Sequence, residues 1–159
     1  MNITQNTLSV LKNFSDINQN ILVKPGNKIQ TISTMKNILA EAEVSEKFES
    51  EFAIYDLPEF LRAVELFEKP ALKFNGGSNV TIADANSKQS IKYFFADKSV
   101  IVAPTKAINM PDQYVAFTLK KNDFTRIQKA ITTLNLPDVA VVGDGKNIKL
   151  VATDKKNKS

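Results

Sequence analysis

The stretch EFAIYDLPEFLRAVELF at residues 51–67 decides the fold of this chain. Its first five residues are mostly apolar and predict a strand, and its last eleven have the apolar spacing of an amphipathic helix. Asp56 and Glu59 stand at the N-cap and N3 positions of a capping box, and Pro58 lies in the first turn, where its missing N–H costs nothing. The stretch therefore predicts a strand that runs directly into a helix.

The same kinds of element are predicted on both sides of this stretch. Upstream, the periodicity predicts a helix over residues 7–18, with Asn6 or Thr7 as its N-cap. Short apolar runs predict strands at residues 21–24, 28–33 and 38–44 after the first helix, and at residues 71–75, 80–85 and 90–96 after the second. The chain therefore alternates one helix with two or three strands.

A third unit repeats this order. It is predicted to contain a strand at residues 114–120, a helix from about 123 to 134, and strands at 139–143 and 148–153. Phe60-Leu61-Arg62 aligns with Phe124-Thr125-Arg126 at an offset of 64, and the glycine turn at residues 74–80 aligns with residues 142–148 at an offset of 68. These alignments predict an α+β fold built from an internal repeat of strand, helix and two or three strands.

An extended connector is predicted between the second and third units. Pro104 and Pro111 each restrict the preceding residue to extended geometry, and neither fits inside a central strand. The connector is apolar, so it is expected to lie against a surface or to attract a partner. The predicted organisation is a first domain of two units at residues 1–97, a connector at 98–112 and an incomplete second domain at 113–159.

Charge is distributed unevenly along the chain. The net charge is +4, but residues 41–68, here called the acidic segment, hold nine acids against Lys47 and Arg62, a net of −7. The remaining residues therefore carry +11. One interpretation is two solvated faces of opposite sign. The other is a basic surface for a polyanion, with the acidic surface turned away from it.

The composition excludes several classes of enzyme. With neither Cys nor His, the chain has no thiol nucleophile, no Ser-His-Asp triad and no zinc site of the usual ligands. The five glycines are scattered through turns, so no phosphate-binding loop is present, and the loop at Asp144 lacks the further acidic ligands of a calcium site. We expect no catalytic residue, no cofactor and no metal. A Mg²⁺-dependent enzyme would require carboxylates of the acidic segment to converge on one cleft.

The sequence also lacks the signals of export and membrane insertion. No apolar run approaches the roughly 18 residues of a membrane-spanning helix. The N-terminus has no basic start followed by an apolar stretch, as a signal peptide would. We therefore expect an unexported protein that does not bind a membrane.

The third helix has a cationic polar face. Arg126 and Lys129 lie opposite its apolar stripe, and Lys120 and Lys121 stand at its entrance. Lys12 has the same position on the polar side of the first helix. A few exposed cations are usual on any helix, but their recurrence suits duplex DNA contacted through its phosphates. The helices carry no array of side chains for reading base edges.

The sequence resembles the sliding clamps, the DNA polymerase processivity factors, of T-even-type bacteriophages. The resemblance covers residues 1–154. It rests on Leu11-Lys12-Asn13-Phe14 with Ile17-Asn18, Ala53-Ile54-Tyr55-Asp56-Leu57, Ile82-Ala83-Asp84-Ala85, and Val102-Ala103-Pro104 with Lys106 and Pro111. It implies the DNA-clamp fold, in which repeated βαβββ units place helices on one face of antiparallel sheets.

The resemblance also implies a mechanism and partners. A homo-oligomeric ring, a trimer in this family, would encircle duplex DNA non-specifically and tether the replicative DNA polymerase, after placement by a clamp loader, in the cytoplasm of the infected host cell. The residues that would face DNA are Lys12, Lys120, Lys121, Arg126 and Lys129, with Arg62 a weaker candidate beside Glu59 and Glu65. The residues that would border a site for partner peptides are Ile101, Val102, Ile108 and Met110, unless they only pack the connector.

Length separates this chain from the family pattern. A clamp subunit of this kind has four βαβββ units, whereas this sequence supplies two and part of a third. We therefore expect the chain to be truncated relative to the family and unable to close a ring. The alternative hypothesis is a clamp-fold module for protein interactions that does not need DNA.

Overall fold

The computed structural model describes residues 1–84, 88–105 and 116–157. The chain divides into two units, Met1–Ala107 and Ile108–Ser159, here called the N-terminal and C-terminal units. This division falls within the predicted connector at residues 98–112. Each unit is described separately below.

Two helices of the N-terminal unit begin at side-chain caps. The first, α1, spans Gln5–Ile17, and its N-cap is Thr4, whose hydroxyl accepts a hydrogen bond from the backbone N–H of Thr7 at 3.3 Å. The prediction of Asn6 or Thr7 as the cap was wrong, because the extended backbone ends at Thr4. The apolar stripe predicts which residues lie within the helix, but it does not predict how far the helix extends before its first apolar residue.

The second helix, α2, spans Leu57–Glu65 and confirms its predicted start. The carboxylate of Asp56 accepts a hydrogen bond from the backbone N–H of Glu59 at 2.8 Å, and Pro58 lies in the first turn. A carboxylate at this end also complements the helix dipole. This helix start depends only on residues close together in the chain.

Antiparallel strands complete the N-terminal unit. They are β1 (Ile21–Val23), β2 (Gly26–Ile32), β3 (Leu39–Phe48), β4 (Phe52–Ile54), β5 (Pro70–Asn75), β6 (Asn79–Asp84) and β7 (Ser90–Phe94). β2 pairs with β3, and β5, β6 and β7 form a three-stranded sheet in that order. These strands agree with the predicted ones to within a few residues at their ends.

Two further pairings join the half of this unit that contains α1 to the half that contains α2. Each half contributes the segment before its helix to a strand of the other half. β4, which precedes α2, pairs with β1, which follows α1, and Leu22 lies opposite Ala53. Conversely, Asn2, which precedes α1, forms a bridge with Ala71 in β5, which follows α2. In each half, therefore, the segment before the helix pairs with the strand that follows the helix of the other half.

The core of the N-terminal unit lies between the two helices and the inner faces of the strands. Leu57, Val64, Val80 and Ile82 are 0% exposed. Around Phe52 the rings of other aromatic side chains pack with centroids between 4.9 and 5.5 Å away. Full burial of one such side chain stabilises the fold by roughly 1.5–3 kcal/mol.

Hydrogen bonds to one buried carboxylate join the start of α1 to β3. Glu46 is 6% exposed, and its oxygens accept hydrogen bonds from the backbone N–H of Thr4 and the hydroxyl of Thr7. Burial by itself would raise the pKa of Glu46, but these hydrogen bonds together outweigh it and lower the pKa. The ionised form of Glu46 is therefore part of the folded structure.

The C-terminal unit contains one helix and one hairpin. Helix α3 spans Lys121–Leu134, β8 spans Asp138–Gly143 and β9 spans Ile148–Thr153. The turn between β8 and β9 contains Gly145 with φ +82°, the same value as Gly77 between β5 and β6. The hairpin turns thus support the repeat, although the second loop is one residue longer.

The predicted strand at residues 114–120 is not formed over 116–120, the part that the structure describes. A strand needs a hydrogen-bonded neighbour, and β4, its counterpart in the N-terminal unit, has β1. Within the described residues, no strand pairs with residues 116–120. The prediction rested on the apolar pattern alone, and the pattern does not supply a partner.

The helical stripe of the C-terminal unit does not form a core. Among residues 116–157, none is buried. Phe124 and Leu134, two members of the predicted stripe, are 45% and 65% exposed, whereas Phe60, which aligns with Phe124, is 2% exposed. The apolar face of α3 that carries Phe124 is therefore not enclosed in a core by the described residues.

Candidate nucleic-acid interface

The structure places four predicted DNA-facing cations at one helix. Lys120 is the N-cap of α3, Lys121 is its first residue, and Arg126 and Lys129 lie in its middle turns. All four are exposed. With Asp123 as its single acid, α3 has a net charge of +2.

The start of α3 concentrates positive potential. Unlike Thr4 and Asp56 at the other two helices, Lys120 makes no capping hydrogen bond with its side chain. The first backbone N–H groups of a helix point outward and carry partial positive charge, so cations there oppose the helix dipole. Lys120 and Lys121 therefore do not stabilise α3, and their position favours an external anion.

Lys129 lies in the middle of the polar face. It borders a shallow depression of about 370 Å³ lined by polar side chains, which are Thr125, Gln128, Lys129, Thr132 and Thr133. The hydroxyls of Thr125 and Thr132 donate hydrogen bonds to the backbone carbonyls of Lys121 and Gln128, each at 3.0 Å. Those two hydroxyl protons are already used, and Lys129 supplies the positive charge of this depression.

Arg126 stands at the edge of the polar face. It also borders a groove of about 580 Å³ whose other walls come from residues 117–119 and the β8–β9 hairpin. Within the described residues, none of the four cations forms an ion pair. Their charge is therefore available to a polyanion.

Lys12 has different surroundings. Its ammonium group lies 4.0 Å from a carboxylate oxygen of Glu65 on α2, and both side chains are more than half exposed. The neighbouring helical surface of the N-terminal unit also holds Asp16, Glu59 and Arg62. Such an exposed pair contributes little stability, but it offsets the charge that Lys12 would offer to DNA.

The acidic segment is not confined to one surface. Glu41 lies on the outer face of β3, where hydrogen bonds from Gln30 and then Lys28 lower its pKa. Glu46 is buried, and Glu59 and Glu65 are exposed on α2. Glu65 lies 4.0 Å from Lys12, so the interpretation of an acidic surface turned away from a basic one does not hold for this part of the N-terminal unit.

The beginning of the connector is tied to the loop after α1. The backbone N–H of Val102 donates to the side-chain oxygen of Asn20 at 3.0 Å, and the side-chain amide of Asn18 donates to the carbonyl of Val102 at 3.2 Å. Ile101 and Val102 are half-buried. The other two predicted peptide-binding residues, Ile108 and Met110, lie outside the described residues.

The sequence interpretation missed Asn18 and Asn20. Asn18 is 4% exposed and also donates to the carbonyl of Ile32 at 2.8 Å. Two asparagines at the end of a helix indicate a cap or turn. Their contact with Val102, more than 80 residues later, has no local signal.

The described residues lack two other kinds of feature. Across residues 1–84, 88–105 and 116–157, no three carboxylates come together as a metal site would require. In the same ranges, no helix has the length and apolar character needed to cross a membrane.

The sequence pattern of the family described as "DNA polymerase processivity factor" matches residues 4–103. The chain is 35% identical over 164 residues to the sliding clamp of Vibrio phage KVP40, an alignment that covers 100% of this chain and 73% of that protein. It is 32% and 33% identical over 148 residues to the sliding clamps of Escherichia phage RB69 and Enterobacteria phage T4, covering 92% of this chain and 64% of each relative.

A solved structure supports the fold independently. The chain is similar to PCNA from Thermococcus kodakaraensis, with a TM-score of 0.55 at 14% sequence identity, covering 96% of this chain and 70% of that chain. This likeness confirms the predicted α+β DNA-clamp fold. The chain spans less than two thirds of the length of the RB69 and T4 proteins.

Proposed function

This chain belongs to the DNA polymerase processivity factor family of phage sliding clamps, which are non-enzymatic replication proteins, and we propose that it holds duplex DNA in the manner of a clamp. The observation that supports this function is the exposed cationic face of α3, whose four cations have no acidic partner in the described chain. The alignment with the sliding clamp of Vibrio phage KVP40 covers this part of the chain.

Phosphate contact alone suits such a role. Lysine and arginine attract the DNA backbone through a sequence-independent term that depends on salt. A helix with a few separated cations, and no amides arranged for base edges, holds DNA without a preferred register. Weak contact of this kind allows movement along the duplex.

The proposal ranks the predicted DNA-facing residues. Arg126 and Lys129 on α3, with Lys120 and Lys121 at its start, would provide the main contacts. Lys12 would contribute less, because Glu65 lies beside it.

The remaining parts of the proposal concern assembly and partners. The replicative DNA polymerase would bind the clamp through a short peptide near the connector, bordered by Ile101, Val102, Ile108 and Met110. A clamp loader would place it on DNA, in the cytoplasm of the infected host cell, and a chain with four units would close a trimeric ring. The domains would be residues 1–97 and 113–159, joined by residues 98–112.

Charge reversal on α3 tests the function. The double variant Arg126→Glu/Lys129→Glu is expected to lose most of its affinity for a short DNA duplex, measured by fluorescence anisotropy, because α3 would repel phosphates. The matched control is Lys47→Glu/Lys73→Glu, which reverses two exposed cations on strands of the N-terminal unit and should keep that affinity. Unchanged affinity of the α3 variant would contradict the proposal.

The same variants distinguish the clamp function from the alternative, a protein-interaction module that does not need DNA. The exposed apolar side chains of the C-terminal unit favour a protein-interaction module as the second candidate. Such a module would bind its polymerase partner equally well with and without DNA. It would also keep that binding after charge reversal at Arg126 and Lys129.

A further inference from the structure

Hydrogen bonds fix the path of the chain from β7 into the connector. The backbone N–H of Ala96 donates to the carbonyl of Ala53 in β4 at 2.9 Å. A short 3-10 turn follows at Lys98–Val100, and the side chain of Asp97 caps its start. This path brings Val102 to the loop after α1.

At that loop two asparagine side chains bind both backbone polar groups of Val102. The side-chain oxygen of Asn20 accepts from the N–H of Val102 at 3.0 Å, and the side-chain amide of Asn18 donates to its carbonyl at 3.2 Å. A neighbouring antiparallel strand satisfies a residue in the same way, with one acceptor and one donor. Asn18 and Asn20, here called the asparagine pair, therefore take the place of a strand partner for one residue of the connector.

The asparagine pair is itself held in place. Asn18 is the C-cap of α1 and is 4% exposed, and its side-chain oxygen accepts from the backbone N–H of Asn20 at 3.1 Å. Its side-chain amide also donates to the carbonyl of Ile32 at 2.8 Å. Between the two asparagines, the carbonyl of Gln19 accepts from the backbone N–H of Leu57 at 2.7 Å. The end of α1, the end of β2 and the start of α2 thus pre-organise the pair, which lowers the entropy cost of binding the connector.

The contact also fixes the register of the connector. Ile101 has an extended backbone, with φ −97° and ψ 130°, so its side chain and that of Val102 point to opposite sides of the chain. A slip of one residue would exchange these directions. Both side chains are half-buried. Within residues 98–105, the described part of the connector, Val102 is the last residue whose backbone is hydrogen-bonded to another element.

We propose that Asn18 and Asn20 are positioning residues for the partner site. They hold Val102 in one register, so that Ile101 and Val102 give a fixed apolar border to a partner peptide. This role rests on the proposed function, in which those two residues border that site. Without the asparagine pair, residues 101 and 102 would be free to turn and slip, and binding of a partner would also have to order them.

Amide hydrogen exchange tests the contact without any partner. Asn20→Ala removes the acceptor of the Val102 N–H, so the exchange of that amide is expected to become at least about fivefold faster. Asn20→Asp keeps an acceptor oxygen at the same place and is expected to restore slow exchange. Equal exchange of the Val102 amide in the wild type and in Asn20→Ala would overturn the proposal.

The matched control lies in the same loop. Gln19→Ala shortens an exposed side chain but keeps the backbone carbonyl that binds Leu57, so exchange at Val102 should not change. The amide of Leu57 reports whether the loop stays folded, and it should remain protected in the Asn20 and Gln19 variants. Faster exchange of the Leu57 amide together with that of Val102 in Asn20→Ala would overturn a positioning role, because the loop itself would then be lost.

Asn18→Asp tests the other side of the contact. It replaces the amide that donates to the carbonyls of Ile32 and Val102 with a carboxylate, which repels both. The carboxylate still offers an oxygen to the N–H of Asn20. Exchange of the Val102 amide is expected to become faster, and unchanged exchange would overturn the part assigned to Asn18.

Binding of the cognate replicative polymerase to the 159-residue chain tests the consequence. Surface plasmon resonance is expected to give a dissociation constant at least about threefold higher for Asn20→Ala than for the wild type, and Asn20→Asp and Gln19→Ala should match the wild type. Affinity for a short DNA duplex should be the same in all four proteins, which distinguishes a local positioning role from general loss of structure.

The outcomes separate this role from the proposed function. A wild type without affinity for the polymerase would overturn the partner site and the positioning role together. A wild type that binds, with Asn20→Ala binding equally well although its Val102 amide exchanges faster, would overturn the positioning role alone.

Discussion

The two units contain the same elements but differ in what they bury. In the N-terminal unit two half-units exchange strands and enclose a core in which Phe60 is 2% exposed. In the C-terminal unit one half-unit is present in the described residues, and Phe124 at the aligned position is 45% exposed. The difference shows that a helix and its hairpin do not form a core in this fold until a second half-unit covers them.

The helices of the two units also differ in charge. The pair α1 and α2 holds Lys12 and Arg62 against Asp16, Glu59 and Glu65, whereas α3 holds three cations against Asp123. Because the N-terminal unit contains the core, folding stability is expected to reside there. Because α3 holds the excess of cations, attraction for DNA is expected to reside in the C-terminal unit. The following predictions test this division, starting with the largest effect.

Truncation of the aligned phenylalanines should give the largest contrast. Phe60→Ala removes a buried ring and is expected to lower the free energy of unfolding by about 3–5 kcal/mol. Phe124→Ala removes a ring that is 45% exposed and is expected to cost about 1 kcal/mol. Denaturant unfolding followed by circular dichroism measures both, and equal losses would contradict the division of stability between the units.

The next largest effect is expected at Glu46. Glu46→Gln keeps the size of the side chain but removes the charge that accepts hydrogen bonds from Thr4 and Thr7, so it should cost about 1.5–3 kcal/mol at pH 7. The folded pKa of Glu46 is lowered below its ordinary value of 4.5, so its contribution is present above pH 4.5 and is lost as the pH falls through the folded pKa.

Unfolding of the wild type and of Glu46→Gln should therefore converge in acid. Glu43→Gln is the matched control, because Glu43 lies on the outer, exposed face of the same strand. A difference between wild type and Glu46→Gln that persists unchanged at pH 3 would contradict the role of the ionised carboxylate.

The two glycine turns should give a smaller contrast. Gly77 and Gly145 both have φ +82°, a left-handed conformation that strains any residue with a Cβ atom. Gly77→Ala is expected to lower the stability of the N-terminal unit by about 1–2 kcal/mol. Gly145→Ala should leave that unit unchanged and strain only the β8–β9 turn. Hydrogen exchange of the two hairpins measures each effect separately.

The smallest expected effect concerns single cations and DNA. Lys129→Ala should weaken binding to a short duplex by up to about 1 kcal/mol and reduce the slope of log K against log salt by about 0.9. Lys12→Ala should change both less, because Glu65 already offsets Lys12. Fluorescence anisotropy over a salt series measures the two slopes, and a larger change for Lys12 would reverse the ranking of the helices.

The accuracy of the sequence predictions depended on the distance between the residues involved. The start of α2 was confirmed because Asp56 and Glu59 are three residues apart and act through one local hydrogen bond. The turn at Gly77 was confirmed for the same reason. The strand at residues 116–120 was not confirmed, because its formation requires a paired neighbour that the described residues do not provide.

The features of the candidate site also divide into those that local sequence patterns predict and those that they do not. The cationic face of α3 follows from helical periodicity, so Arg126 and Lys129 could be placed from the sequence. The ion pair of Lys12 with Glu65, the burial of Glu46 and the contacts of Asn18 and Asn20 with Val102 join residues that are distant in the chain. No pattern of neighbouring residues indicates them.

The sequence by itself determined the order of the helices and strands, the cationic character of α3 and the absence of cysteine and histidine chemistry. These properties depend on side-chain identity and on periods of two or about 3.6 residues, which act locally. The tertiary structure decided which apolar faces are buried, which charges are compensated and which strand edges remain unpaired. Those outcomes depend on the meeting of distant segments, which is why Phe60 lies in a core while Phe124, aligned with it, remains exposed.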